Sequence, residues 1–381
     1  MEVNSRHRPP VLSAGLALAA VTALGACSPS GSTHSASTAL DPTARAGVTA
    51  ARTEVDARKV APTSVGITQP IKSTVAGKTV VYLECGIVNC KIHADALAES
   101  FKPLGIKLKI VHSGVTPESF KNALATAQAM HPDGVISDAI PASIAQGSIN
   151  SMAAEGISVV TIVAPDLKLG KHIANVMGVP YMLKQGATLA NWAIADSGGH
   201  ADVLYLNDTT LSFSPWAAKG LKYAYAKNCP GCTVDELATN SGEIGTVLPN
   251  KISSYLQVHP DIKYMVAEYS ALLTGVPAAL STAGISGIKT IGASPTQINQ
   301  QYMKTGQETA GIFNSNAAMS WYATDTIARL MSGEQPLPVV DNPPNMQLMT
   351  ASQVTWDPKN TDYPWIPDWK QKFTKAWKAQ G

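Results

Sequence analysis

Five cysteines carry the most pointed chemistry in this sequence, and four of them form two close pairs, Cys85-x4-Cys90 and Cys229-Pro-Gly-Cys232. In an exported chain such pairs read as disulfides. Each closes so short a loop that chain entropy contributes little, and its effect is to fix local shape. The rival for Cys229 and Cys232 is a redox thiol pair, which needs a helix N-terminus to depress its pKa. Here the pair follows a helix-like stretch, Pro215–Lys227, and precedes a strand. A zinc site needs four convergent ligands, and His93 is the only histidine near any of these cysteines.

A second group sits where apolar runs end. Glu84 and Asn89 follow the first run, Asp138 the third, Asn207 a later one, then Tyr269 with Ser270, then Ser294, then Asn314. Groups placed at strand ends hydrogen-bond a small molecule, and Trp216 or Tyr269 offers a stacking surface for a ring. Each has a structural rival: Asp138 could cap the helix that starts near Pro141, and Trp216 could pack within its own lobe. Reaction chemistry finds no such support. The chain contains no dinucleotide-binding GxGxxG, P-loop, GxSxG elbow or HExxH. Ser286-Gly-Ile-Lys289 matches S-x-x-K in a turn entering a strand, and the eight histidines are scattered. The expectation is a binding protein rather than an enzyme, without cofactor or metal.

These residues need a scaffold of two domains, and 381 residues supply it. Charged residues are 15% and the net charge is +2, with no basic face of the kind nucleic acid requires. At the N-terminus Arg6 and Arg8 precede an uncharged apolar stretch, Val11–Leu24, ending in Leu24-Gly-Ala-Cys27. That stretch is too short to span a bilayer and reads as a signal peptide, residues 1–26. The LGAC sequence resembles a bacterial lipobox, which implies a diacylated Cys27 as the first mature residue. The expected location is the extracytoplasmic face of the cell membrane, held by lipid. Residues 27–76, rich in Ser, Thr, Ala and Pro, read as a flexible tether, with a short helix at 44–60.

From Lys78 onward, apolar runs alternate with amphipathic stretches. Strands are expected at Thr79–Leu83, Lys107–Val111, Gly134–Ser137 and Ser158–Val163, with helices near 91–103, 117–130 and 141–155. A second series begins near Tyr181, and includes helices at 244–258 and 270–283. His-Pro-Asp at 131–133 and again at 259–261 joins helix to strand at matching places in both series. The pattern predicts an α/β fold of two lobes, each with a parallel sheet, whose strand ends face a shared cleft. The C-terminal aromatic cluster, Trp356, Tyr363, Trp365, Trp369 and Trp377, is expected to clamp the tail onto the second lobe.

Several segments together resemble actinobacterial substrate-binding lipoproteins of the type I periplasmic-binding-protein superfamily, ribose- and sugar-binding-like branch. They are Pro62–Ile67, Gly77–Gly86, Ile157–Ile162, Ala267–Leu272, Thr290–Ser294 and Ala310–Asn314, with the two cysteine pairs. The resemblance implies two Rossmann-like lobes joined by a three-strand hinge, an N-lobe of 77–178 plus 314–334, and a C-lobe of 179–313 plus 335–381. It implies a monomer that captures a small molecule for an ABC permease, or alternatively signals occupancy to a membrane receptor. Sugar-binding relatives place an Asp-Arg pair where this chain has Val163-Ala164, and an Asp near Ser294, while Asn314 matches their crossover amide. The missing charges imply a ligand that is sugar-like or less polar and aromatic.

Overall fold

In the computed structural model, residues 41–355, 357 and 366–378 are described. Cys27, the signal stretch, Trp356, Tyr363 and Trp365 lie outside them.

An 18-residue helix, α1 (Pro42–Lys59), starts at Asp41, whose carboxylate accepts the Thr43 and Ala44 N–H groups. The first lobe follows: β1 (Thr79–Glu84), α2 (Val88–Phe101), β2 (Lys107–His112), α3 (Pro117–Ala129), β3 (Gly134–Asp138), α4 (Ala142–Ala154), β4 (Ser158–Ile162) and β5 (Ile173–Val176). Its five strands run in the order β2-β1-β3-β4-β5, all parallel. The second lobe is α5 (Val179–Ser197), β6 (Asp202–Asp208), α6 (Ser214–Asn228), β7 (Thr233–Thr239), α7 (Leu248–Val258), β8 (Tyr264–Ala267), α8 (Val276–Thr282), β9 (Lys289–Ala293), α9 (Gln297–Lys304) and β10 (Ala310–Phe313). The chain then returns through α10 (Asn316–Met331) to the first lobe, adds β11 (Gln347–Thr350) to the second, and ends in α11 (Trp369–Trp377). The second sheet is β11-β10-β9-β8-β6-β7, parallel except for the β10–β11 pair. The near-continuous burial of β3, β4 and β8 is what helices on both faces of a parallel sheet produce.

In each sheet the strand order reverses once, between β1 and β3 and between β6 and β8. These switch points open a crevice beyond the strands' C-terminal ends, where α/β sheets receive ligands. The lobes are joined where β5 leads into α5, β10 into α10, and α10 into β11. At the first and third crossings Met177 and Gly178 donate to the Val340 and Asp341 carbonyls, both at 2.8 Å.

Four expectations need correction. Residues 42–76 are no flexible tether. Val48, Ala51 and Val55 form one buried stripe on α1, which packs against α5 and α6. Gly47 permits that approach, since a Cβ there would lie 2.3 Å from the Asn228 carbonyl oxygen. Beyond α1 the strap buries Val65, Ile67, Ile71 and Val75. It is pinned to the first lobe by Tyr322 Oη donating to the Val65 carbonyl and by Arg329 donating to those of Gln69 and Pro70. Gly66 passes close beside Val339 of the third crossing. The strap is therefore a fourth connection beside the expected three-strand hinge. Second, α11 clamps the first lobe and not the second: Trp377 stacks on Trp321 of α10 at 5.3 Å, and its indole N–H donates to Asp325. Third, β5 and β11 are additional strands, each only four residues long. Fourth, the helix expected at 270–283 is broken at Gly275, which takes φ +80°.

Candidate functional site

Four non-glycine residues immediately beyond strands adopt the left-handed backbone region; one, Met177 after β5 (φ 62°), sits at the first crossing, and the other three are Ala139 after β3 (φ 47°), Val163 after β4 (φ 51°) and Ser294 after β9 (φ 53°). Such conformations cost about 1–3 kcal/mol and persist where the surroundings impose them. The last three line one cavity of about 100 Å³ between the lobes. It lies at both switch points, with Cys85, Asp138 and Ala139 on one side and Thr210, Leu211 and Tyr269 on the other.

The first-lobe wall is built on α2. Cys85 and Cys90 are disulfide-bonded and both line the cavity, so the bond ties the end of β1 to the first turn of α2. Asn89 and His93 lie one helical turn apart on that helix. His93 Nδ1 is 3.0 and 3.1 Å from the two Asp138 oxygens, and Tyr82 Oη donates to the same carboxylate. Burial, and then the Asp138 charge, hold the Tyr82 phenol well above its ordinary pKa. His93 is 4% exposed, and its Nε2 has no partner; neither does Asn89 Oδ1.

The second-lobe wall centres on Tyr269, whose Oη donates to Asp208 at 2.8 Å and lies 3.2 Å from Ser241 Oγ. Phe213 meets the Tyr269 ring edge-on at 6.4 Å. Behind them Glu268 is fully buried and accepts the Asp208 N–H and the Ser214 hydroxyl. Burial above all, with Asp208 nearby, pushes its carboxyl to about 8. Ser294 Oγ donates to Asn314 Oδ1 at 2.6 Å, and Asn314 in turn donates to Gln185.

The two walls also touch at the cleft mouth. The Ser212 N–H donates to the Ala139 carbonyl at 3.2 Å, and the Ser212 hydroxyl donates to Asp166 Oδ1. Asp166 Oδ2 accepts the Ala142 N–H at the start of α4. These contacts lie away from the hinge and define a closed arrangement of the lobes.

Of the expected site residues, Asn89, Asp138, Tyr269, Ser294 and Asn314 line the cavity. Glu84, Asn207, Trp216 and Ser270 do not. Glu84 turns to His112 at 3.2 Å. Asn207 donates to Glu236 at 2.6 Å. Trp216 stands one turn too far along α6, its ring under the Lys219 ammonium, and Phe213 takes the place expected of it. Ser270 points away to Glu308, a second buried carboxyl raised to about 8 by burial. Asp138 is no helix cap: its oxygens are taken by Tyr82 and His93, and the Ala142 N–H at the start of α4 goes to Asp166. His93, Gln185 and Ser241 line the cavity without having been singled out. Ser241 had a signal, because it follows a strand end, that of β7 at Thr239. Cys229 and Cys232 are disulfide-bonded at the C-terminal end of α6, outside the cavity lining. No Lys or Arg lines the cavity. Among the described residues no cluster of His, Cys, Asp or Glu could hold a metal, and no helix is long and apolar enough to cross a membrane.

Residues 93–335 match the periplasmic binding protein domain family. Among solved structures, a 5-methylthioribose transporter solute-binding protein from Thermotoga lettingae, in complex with 5-methylthioribose, aligns with TM-score 0.66 and 18% identity over 81% of this chain and 99% of its own. The binding component of an arabinose ABC transporter from Shewanella, bound to L-arabinofuranose, gives 0.64 and 14% over 80% and 99%. An ABC transporter solute-binding protein from Mycobacterium smegmatis with bound glycerol gives 0.63 and 17% over 73% and 96%. At these identities the likeness is one of fold. No curated protein matches the sequence.

Proposed function

The chain belongs to the periplasmic binding protein family, and from that premise we propose that it captures a small molecule in the interlobe cavity and hands it to an ABC importer. The observation that carries this reading is the cavity itself, which draws its lining from the switch points of both sheets. A ligand touching both walls favours the closed arrangement by its differential contacts, and the permease would read that closure. Asn89, Tyr269, Ser294 and Asn314 are the proposed ligand contacts, with Asp138 in the lining but engaged by Tyr82 and His93, and the ligand sugar-like or less polar.

The protein is further proposed to act as a monomer on the extracytoplasmic face, anchored by a lipid on Cys27. Cys27→Ser is expected to move the protein from the detergent phase to the aqueous phase; unchanged partitioning refutes the anchor. Ligand capture is tested by thermal shift of the mature chain against pentoses, hexoses, nucleosides, amino acids and small aromatic compounds. At 100 times Kd a ligand adds about 2.7 kcal/mol of stability. No shift from any class would refute solute capture.

A further inference from the structure

Most of the cavity wall is apolar, with Val115, Phe120, Val163, Met182, Leu211 and Phe213 among the lining. Among the polar groups set into that wall is His93, held on one side by Asp138. The Nδ1 that faces both Asp138 oxygens donates to them, since a carboxylate oxygen accepts. In the neutral ring Nε2 then keeps its lone pair, and it is buried without a donor. Buried polar atoms without partners are rare and costly. One helical turn earlier, Asn89 Oδ1 stands in the same condition.

Building on the ligand-capture reading of this cleft, we propose that His93 is its specificity-determining contact. The ligand is an uncharged, single-ring molecule that donates an N–H or O–H to His93 Nε2 and turns an otherwise apolar surface to the wall. Charge is excluded by the lining. It holds no cation to meet an anion, and Asp138, its one carboxylate, is already engaged by Tyr82 and His93. An unpaired charge buried there would carry a desolvation cost of several kcal/mol. The volume caps the size: a dry apolar cavity of about 150 Å³ takes a benzene ring, and this one, at about 100 Å³, admits nothing larger than a single ring. Tyr82 and Asp138 act as positioning residues, holding the imidazole in one tautomer and one orientation. Val163-Ala164 fits the same picture, because Val163 adds apolar wall and the Ala164 N–H is spent on Asn175.

The test is calorimetric titration of the mature chain with matched probes that differ by one donor, uracil against 1,3-dimethyluracil and phenol against anisole. Arabinose, galactose, benzoate and benzylamine complete the set. The expected result is binding of at least one donor-bearing ring, at least tenfold tighter than its methylated partner. In His93→Leu the two members of the pair should come within twofold of each other. Where that variant does not fold, His93→Gln serves; it should lower the discrimination at least threefold. Equal affinity within each pair, or discrimination that survives both substitutions, overturns the proposal. Arabinose or galactose bound in preference, without dependence on His93, overturns this ligand class and leaves solute capture intact. No binding by any probe or any class in the thermal-shift panel overturns both.

Discussion

The closed arrangement depends on a contact small enough to remove with one atom. Ser212 reaches across the cleft mouth to Asp166 through its hydroxyl and to Ala139 through its N–H. A hydrogen bond to a carboxylate is worth about 1.5–3 kcal/mol. Ser212 is buried but Asp166 is exposed, and solvent screening reduces the figure to about 1 kcal/mol. Ser212→Ala keeps the backbone bond and loses the hydroxyl, so the ratio of closed to open molecules should fall about fivefold. A ligand that binds the closed form should weaken by up to the same factor, because the competent fraction is smaller. Asp166→Ala should cost more, since it also releases the Ala142 N–H at the start of α4. The assay is small-angle scattering of the ligand-free protein, where opening raises the radius of gyration, followed by ligand titration of each variant. In the Asp166→Ala background the serine substitution should add nothing further. Unchanged scattering and affinity for Ser212→Ala, or effects that add in full in the double variant, would refute the latch.

Asp325 binds Arg329 through two bonds of 2.9 and 3.0 Å in the interior and also accepts the Trp377 indole N–H. Burial raises its pKa despite the guanidinium, so the pair is held by mutual need. Asp325→Leu should destabilise by about 3–5 kcal/mol in urea titration, and adding Arg329→Met should recover a large part; a double variant no better than the single would contradict this. Glu268 and Glu308 should make the fold weaken as pH rises. Each has a folded pKa of about 8 against an ordinary 4.5. Between those values the unfolded chain has released the proton that the folded chain retains, and stability falls by up to about 1.4 kcal/mol per pH unit per group. The loss is complete above pH 8, and Glu268→Gln/Glu308→Gln should flatten the slope between pH 5 and 9. An unaltered slope would show that other groups set it.

The strand–helix alternation was legible because apolar runs in a parallel sheet are buried on both faces and stand out at any register. The places of Asn89, Asp138, Tyr269, Ser294 and Asn314 in the cavity lining were legible through one rule, that the crevice of an α/β sheet lies beyond its strand ends. The same rule misplaced Glu84 and Ser270, because it gives the edge and not the direction in which a side chain turns. His93 was illegible, since a histidine on a half-buried helix face has no spacing to separate it from core. The docking of α1 was hidden by its polar face, where only three residues form a stripe. The partner of α11 was hidden too: Trp321 reads as core of its own helix, and only the fold brings it to Trp377. The latch at Ser212 joins loops far apart in sequence and left no local pattern at all.

Because α1 rests on one lobe and α11 on the other, the described chain begins and ends on opposite sides of the moving joint. Arg52 and Lys375 are exposed positions on those two helices. Dyes attached there, one on each, turn closure into a change of colour without a label near the cavity. The protein is in that sense already wired as an optical sensor, and its own opening can be followed one molecule at a time before its ligand is identified.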